Sequence, residues 1–229
     1  MRGPCRAQTF DRVMSPPVLD IAGQRVLFLM AAEPEYGPHL RARFTPVMTG
    51  VGPVEGAVTA TAMLAELARG GGLPDLVVSL GSAGSARLEQ CAVYQARSVA
   101  YRDMDATALG FEKGVTPFLD MPAQVELPLQ IAGLPAATLS TGANIVSGAA
   151  YAGITEDMVD MESFAVLRAC QRFDVTLVVL RGISDGAAPL DGLHSWTEYL
   201  HIIDERLAAA VDMLCTQIEA GGLAQAPGR

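Results

Sequence analysis

Basic residues are scarce in this chain: 16 Lys and Arg stand against 25 Asp and Glu, for a formal net charge of −9. No stretch gathers cations or interleaves them with aromatics, so a surface that follows a phosphate backbone is absent and nucleic acid is not an expected partner. Cysteine is equally sparse. The four, Cys5, Cys91, Cys170 and Cys215, show no paired-ligand spacing, and the three histidines, His39, His194 and His201, form no metal motif. A disulfide scaffold and a zinc site are therefore set aside, and reduced thiols in a cytoplasmic protein are the simplest reading. The longest apolar run near the N-terminus, residues 26–32, is too short to span a bilayer and lacks the flanks of a signal peptide. No membrane partner is expected. Neither a dinucleotide fingerprint nor a P-loop with its lysine occurs, so no nicotinamide cofactor or nucleoside triphosphate is inferred.

What the chain does have is apolar mass: 50% of its 229 residues are hydrophobic. A domain of that size buries roughly 70% of the surface its unfolded chain exposes, enough for one substantial core. Residues 1–24, with Arg2, Arg6, Asp11, Pro16 and Pro17, read as a loose extension, 25–220 as the domain and 221–229 as a tail. Short β-type runs alternate with helical patterns. Residues 26–30, 43–48, 76–80, 93–101, 136–140 and 176–180 are strand candidates, while 53–69, 161–173 and 196–218 are helix candidates. Such alternation predicts a single-domain α/β fold with helices on both faces of the sheet. No internal repeat, low-complexity tract or linker divides it.

Two stretches carry the chemistry. Val159-Asp160-Met161-Glu162 puts a carboxylate at the head of a helix, and Arg181-Gly182-Ile183-Ser184-Asp185 puts another just past a buried strand. Open α/β sheets bind ligands beyond the carboxyl ends of their strands, so Asp185 is a catalytic candidate; as Ser-Asp-Gly it also reads as a turn or N-cap residue. Glu35, in Glu-Pro-Glu after the first strand, is a second candidate, equally readable as first-turn decoration favoured by the helix dipole. Glu162 could be a simple helix cap, and Leu109 and Phe111 ordinary core. Small-residue turns at Thr49-Gly50-Val51-Gly52, Gly81-Ser82-Ala83-Gly84 and Thr141-Gly142-Ala143-Asn144 would let backbone approach a ligand and present N–H groups. Any one of them reads as well as a packing device, but three on one sheet edge favour a pocket.

Taken in order, Ala31-Ala32-Glu33-Pro34-Glu35, Thr49-Gly50-Val51-Gly52-Pro53-Val54, Gly81-Ser82-Ala83-Gly84, the run from Tyr101 to Phe111, Asp160-Met161-Glu162 and Arg181-Gly182-Ile183-Ser184-Asp185 resemble the 5′-methylthioadenosine/S-adenosylhomocysteine nucleosidases of the purine nucleoside phosphorylase superfamily. The resemblance covers residues 26–218. It implies a three-layer α/β/α domain with a twisted, mixed central sheet of nucleoside phosphorylase type. It implies hydrolysis of an adenine nucleoside's N-ribosidic bond, without cofactor or metal. Glu35 then matches the glutamate that activates the attacking water, and Asp185 the aspartate that protonates the purine at N7, oriented by Ser184. Glu162 matches the glutamate on the ribose hydroxyls and Met161 the methionine beside the sugar. Ser82, Ala83 and Gly84 match the turn near ribose and water, and Ile145 and Val146 the positions that meet adenine. Leu109 and Phe111 match an apolar pair that reaches across a homodimer interface to the partner's ligand.

The chemistry suits these roles. Breaking an N-ribosidic bond develops positive charge on the ribose, which carboxylates stabilise, and negative charge on the leaving base, which a protonated acid neutralises. Such an acid must hold its proton near pH 7, which requires desolvation or a like charge nearby. The chain departs from the family pattern at Ser85, at Cys91-Ala92, at Leu109 and at Ile145, where an aromatic that stacks on the base is usual. Within the superfamily, a phosphorylase would need an anion site, where this chain has Gln90-Cys91-Ala92, so water is the favoured nucleophile. A futalosine-type hydrolase, which shares Gly50-Val51-Gly52-Pro53-Val54, and a catalytically silent nucleoside-binding protein are the other readings.

Overall fold

The computed structural model describes residues 17–186 and 188–225. A hairpin opens the chain: β1 (Val18–Ile21) runs antiparallel to β2 (Gln24–Met30). The domain therefore starts before residue 25, because Ala22 and Gly23, both at positive φ, turn the chain back to pair with β2. Residues 1–16 of the expected extension lie outside the described residues. Next come the short helix α1 (Pro38–Arg41), β3 (Val47–Met48), α2 (Pro53–Arg69), β4 (Leu76–Gly84) and β5 (Val93–Tyr101). After them follow β6 (Gln124–Glu126), β7 (Leu129–Gln130), β8 (Ala136–Thr141), β9 (Met158–Asp160) and α3 (Ser163–Arg172). The last elements are β10 (Thr176–Asp185), α4 (Gly192–Thr197), α5 (Leu200–Glu219) and β11 (Ala224–Gln225). β11 pairs with β7, so the first part of the expected tail is tied to the body.

The period of two along a strand sorts side chains into two cores. Phe28, Leu76, Val78, Leu80, Val178 and Leu180 face α1 and α5, packing on Leu40, Leu207 and Leu214. Leu27, Leu29, Val77, Leu177 and Val179 face the other way, onto Ala60, Leu64 and Leu67 of α2 and Val166 and Leu167 of α3. Helices thus cover both faces of a mixed sheet, as the sequence predicts. The strand order is β1-β2-β4-β10-β5-β8-β9, and β9 also pairs with β4, so five strands close into a ring. A single residue pair, Gly84 with Val159, makes that closure.

Four expected boundaries move. Gly81-Ser82-Ala83-Gly84 is not a turn but the end of β4, and Ser184 and Asp185 are the end of β10, since each strand is the other's parallel partner through Asp185 and Gly84. The apolar runs stop at Leu80 and Leu180, but the hydrogen-bond ladder does not, and ladder partners are invisible to side-chain patterning. The expected strand at 43–48 shrinks to Val47–Met48. The expected helix at 196–218 is two helices, broken at Glu198 and Tyr199.

Candidate active site

Ten of the sequence candidates line one cavity of about 340 Å³: Glu35, Ser82, Ala83, Gly84, Ile145, Val146, Met161, Glu162, Ser184 and Asp185. They converge because the ends of β4, β9 and β10 meet there, with the turn Glu33–Glu35 beyond β2 on one side and the segment after β8 on the other. Leu109 and Phe111 lie outside it. Leu109 sits on a 3₁₀ turn, 74% exposed, and Phe111 stacks edge-on against Phe118 with ring centroids 5.7 Å apart.

Asp185 is held from two sides. The Ser184 hydroxyl donates to its Oδ2 at 2.8 Å and the Tyr151 hydroxyl to its Oδ1 at 3.2 Å. Burial raises the Asp185 pKa, against the pull of those two donors. Glycine at position 84 is required for this arrangement, because a Cβ there would fall into both the Tyr151 hydroxyl and the Asp185 carboxylate. As the last residue of a strand, Asp185 is neither a turn nor a cap residue.

Glu35 is buried, and its Oε1 accepts from the backbone N–H of Ser82 at 2.7 Å and from the Ser82 hydroxyl at 2.6 Å. Its Oε2 has no hydrogen-bond partner among the described residues. Desolvation raises the Glu35 pKa. Glu162, just ahead of α3, accepts at Oε1 from the N–H of Gly52 at 2.7 Å, and burial together with the Asp160 carboxylate pushes its pKa up to about 7. Gly52 has φ 98°, a backbone conformation that glycine adopts without cost. Glu35 and Glu162 share a small pocket of about 10 Å³ with Arg181, Ser79 and Thr49, close to the size of one water.

Sequence reading assigned no part to Asp160, Arg181, Arg102, Tyr151 or Trp196. The first two form a buried ion pair at 2.8 Å, with Arg181 also bonded to both Ser79 and Ser163 and Asp160 to Thr141 and Ser163. Both stood inside recognised stretches, and two opposite charges in otherwise apolar strands are themselves a signal of a buried pair. Arg102 donates to the carbonyls of Ser140, Asp160, Gly142 and Asn144, tying β8 and β9 to the segment that carries Ile145. Arg181 is fully engaged, and Arg102 spends both terminal nitrogens on carbonyls, its buried Nε alone lacking a partner among the described residues. Ser85, a departure from the family pattern, accepts from the N–H groups of Arg87 and Leu88 and donates to the carbonyl of Asp157, which fastens the loop after β4.

The sequence model of the phosphorylase superfamily matches residues 39–216. A 5′-methylthioadenosine/S-adenosylhomocysteine nucleosidase from Haemophilus influenzae is 30% identical over 184 residues, which span 72% of this chain and 77% of that one. This chain belongs to the 5′-methylthioadenosine/S-adenosylhomocysteine nucleosidase family of the phosphorylase superfamily. Among solved structures, the nucleosidase of this family from Colwellia psychrerythraea, in complex with adenine, superposes with a TM-score of 0.71 at 23% identity, covering 87% of this chain and 97% of that one. Futalosine hydrolase of Helicobacter pylori superposes with a TM-score of 0.69 at 21% identity, covering 82% and 95%. Those two likenesses concern the fold, which both kinds of nucleosidase share. No helix among the described residues is long and apolar enough to cross a membrane.

Proposed function

We propose that this family member hydrolyses the N-ribosidic bond of 5′-methylthioadenosine and S-adenosylhomocysteine, releasing adenine and a 5-thio-substituted ribose, as its Haemophilus relative is named for doing. One observation carries the reading: Glu35, Glu162 and Asp185 all face one cavity, each with its pKa raised by burial. Asp185, kept protonated, gives its proton to the purine as the bond to the ribose breaks. Glu162 receives the ribose hydroxyls and stabilises the cationic sugar. Glu35 accepts the proton of the attacking water through its unpartnered Oε2, beside a pocket of about the right size for that water. Burial keeps both glutamates basic enough near neutral pH to act this way. Ile145 and Val146 border the base, Met161 the sugar, and Ser82, Ala83 and Gly84 the floor.

Water is preferred to phosphate because Arg181 and the terminal nitrogens of Arg102 are spent on protein acceptors. We extend the reading to a cytoplasmic homodimer that acts in methionine salvage. Val51, Val54 and Val58, close together at the head of α2, are exposed large apolar side chains, which supports a partner there, and sedimentation equilibrium checks it.

The test is product analysis of 5′-methylthioadenosine incubated with and without phosphate. Adenine and free 5-methylthioribose, independent of phosphate, are expected. A sugar 1-phosphate formed only with phosphate would make the protein a phosphorylase. Turnover of a futalosine-type nucleoside with no adenine in either tube would reassign the substrate.

A further inference from the structure

The chain has one tryptophan, and it lies in the active site. Trp196 is on α4, and its indole N–H donates to the Ser82 hydroxyl oxygen at 2.9 Å. An indole N–H is a donor only, so the Ser82 oxygen acts there as acceptor and its one proton is free to go elsewhere. It goes to Glu35: the hydroxyl donates to Oε1 at 2.6 Å, and the backbone N–H of the same serine reaches the same oxygen at 2.7 Å. Two donors thus run in one direction, from indole to hydroxyl to carboxylate. The hydroxyl and the backbone N–H of Ser82 converge on Oε1, while Oε2 is left without a partner among the described residues. Chains of this kind polarise each link, and a carboxylate bonded at one oxygen is held in one rotamer with the other oxygen available for a proton.

We infer that Trp196 is a positioning residue for Glu35, acting through Ser82 to fix which carboxylate oxygen meets the water. The inference rests on reading Glu35 as the proton acceptor. Other groups facing Glu35 are Arg181 on β10, Asp160 on β9 and Glu162 ahead of α3. None of them bonds to Trp196, so its contribution is separable.

Two measurements test it. Trp196→Phe keeps an aromatic wall and removes the N–H. A lost hydrogen bond of about 1 kcal/mol corresponds to roughly five-fold in rate, so kcat should fall by about that factor with KM changed less than about two-fold. Without the polarised hydroxyl the Glu35 carboxylate is less stabilised, and the acid limb of the kcat profile should move to higher pH. In the wild-type protein, Trp196 emission should titrate with Glu35, and that transition should vanish in Glu35→Gln and in Ser82→Ala. Wild-type kcat and pH profile in Trp196→Phe would overturn the inference, as would a change in KM alone or an emission titration that survives Glu35→Gln. The emission experiment needs no turnover. Absence of adenine release from the wild-type protein would therefore sink the nucleosidase reading while a titration lost in both variants still supported the hydrogen-bond chain.

Discussion

Asp185 illustrates how much a single residue's role depends on partners contributed by other segments. Its place just past a buried apolar run is legible from sequence, as are the positions of Glu35, which follows such a run, and of Glu162, which heads an apolar helix. Tyr151 is not: the segment 148–153 has no pattern that says its hydroxyl will lie against Asp185. The same holds for Trp196, which sits two residues before the break at Glu198 that divides one expected helix into two, and whose partner Ser82 lies 114 positions away. Replacing Asp185 with Asn should leave binding of an adenine nucleoside within a few-fold and reduce turnover by about 10² or more, the usual weight of a general acid. Tyr151→Phe should act more subtly. Losing a donor to the carboxylate favours the protonated acid, so the alkaline limb of kcat should shift to higher pH; an unchanged profile would show that the hydroxyl does not tune Asp185.

At the scale of elements, β10 sets the site because it is paired on both sides, parallel to β4 and antiparallel to β5. Its apolar stretch was legible, but its last residues, Arg181 to Asp185, were not recognisable as strand, since their fate depends on neighbours far away in the sequence. Gly182 shows how tightly this strand is packed: a Cβ there would run into the Ile203 side chain on α5. Gly182→Ala should therefore lower the unfolding free energy by about 1–3 kcal/mol in denaturant titrations. Combined with Ile203→Ala it should cost less than the sum of the two single changes, because the second substitution removes the obstruction. Strict additivity would mean that the two do not meet. Arg181 and Asp160 join β10 to β9 beneath the cavity, and their mutual satisfaction explains how a charged pair can be buried so close to three carboxylates.

For the molecule as a whole, function and stability pull against each other. Glu162 ordinarily titrates at 4.5 and is pushed up to about 7 in the fold, so the native protein keeps a proton that the unfolded chain releases. Its contribution to stability is complete below about pH 4.5 and is lost as pH rises through about 7. Glu35 and Asp185, raised in the same direction, act in the same sense. Asp212, held down by its hydrogen bond to Arg43, works oppositely and loses its contribution in acid. The melting temperature of the ligand-free protein should thus decline between about pH 5 and about pH 8, and Glu162→Gln should flatten the decline. A slope unaffected by the substitution would show that Glu162 does not hold its proton in the fold. The layered α/β arrangement was legible at this scale; the ring was not, since closing it depends on one residue pair, Gly84 with Val159.

That pair works as a clasp. Both residues border the cavity, so a bound nucleoside would touch the two sides of the seam at once and hold them together. The substrate would then be a removable rivet in the architecture, and the empty protein a ring fastened at that point by its narrowest pairing.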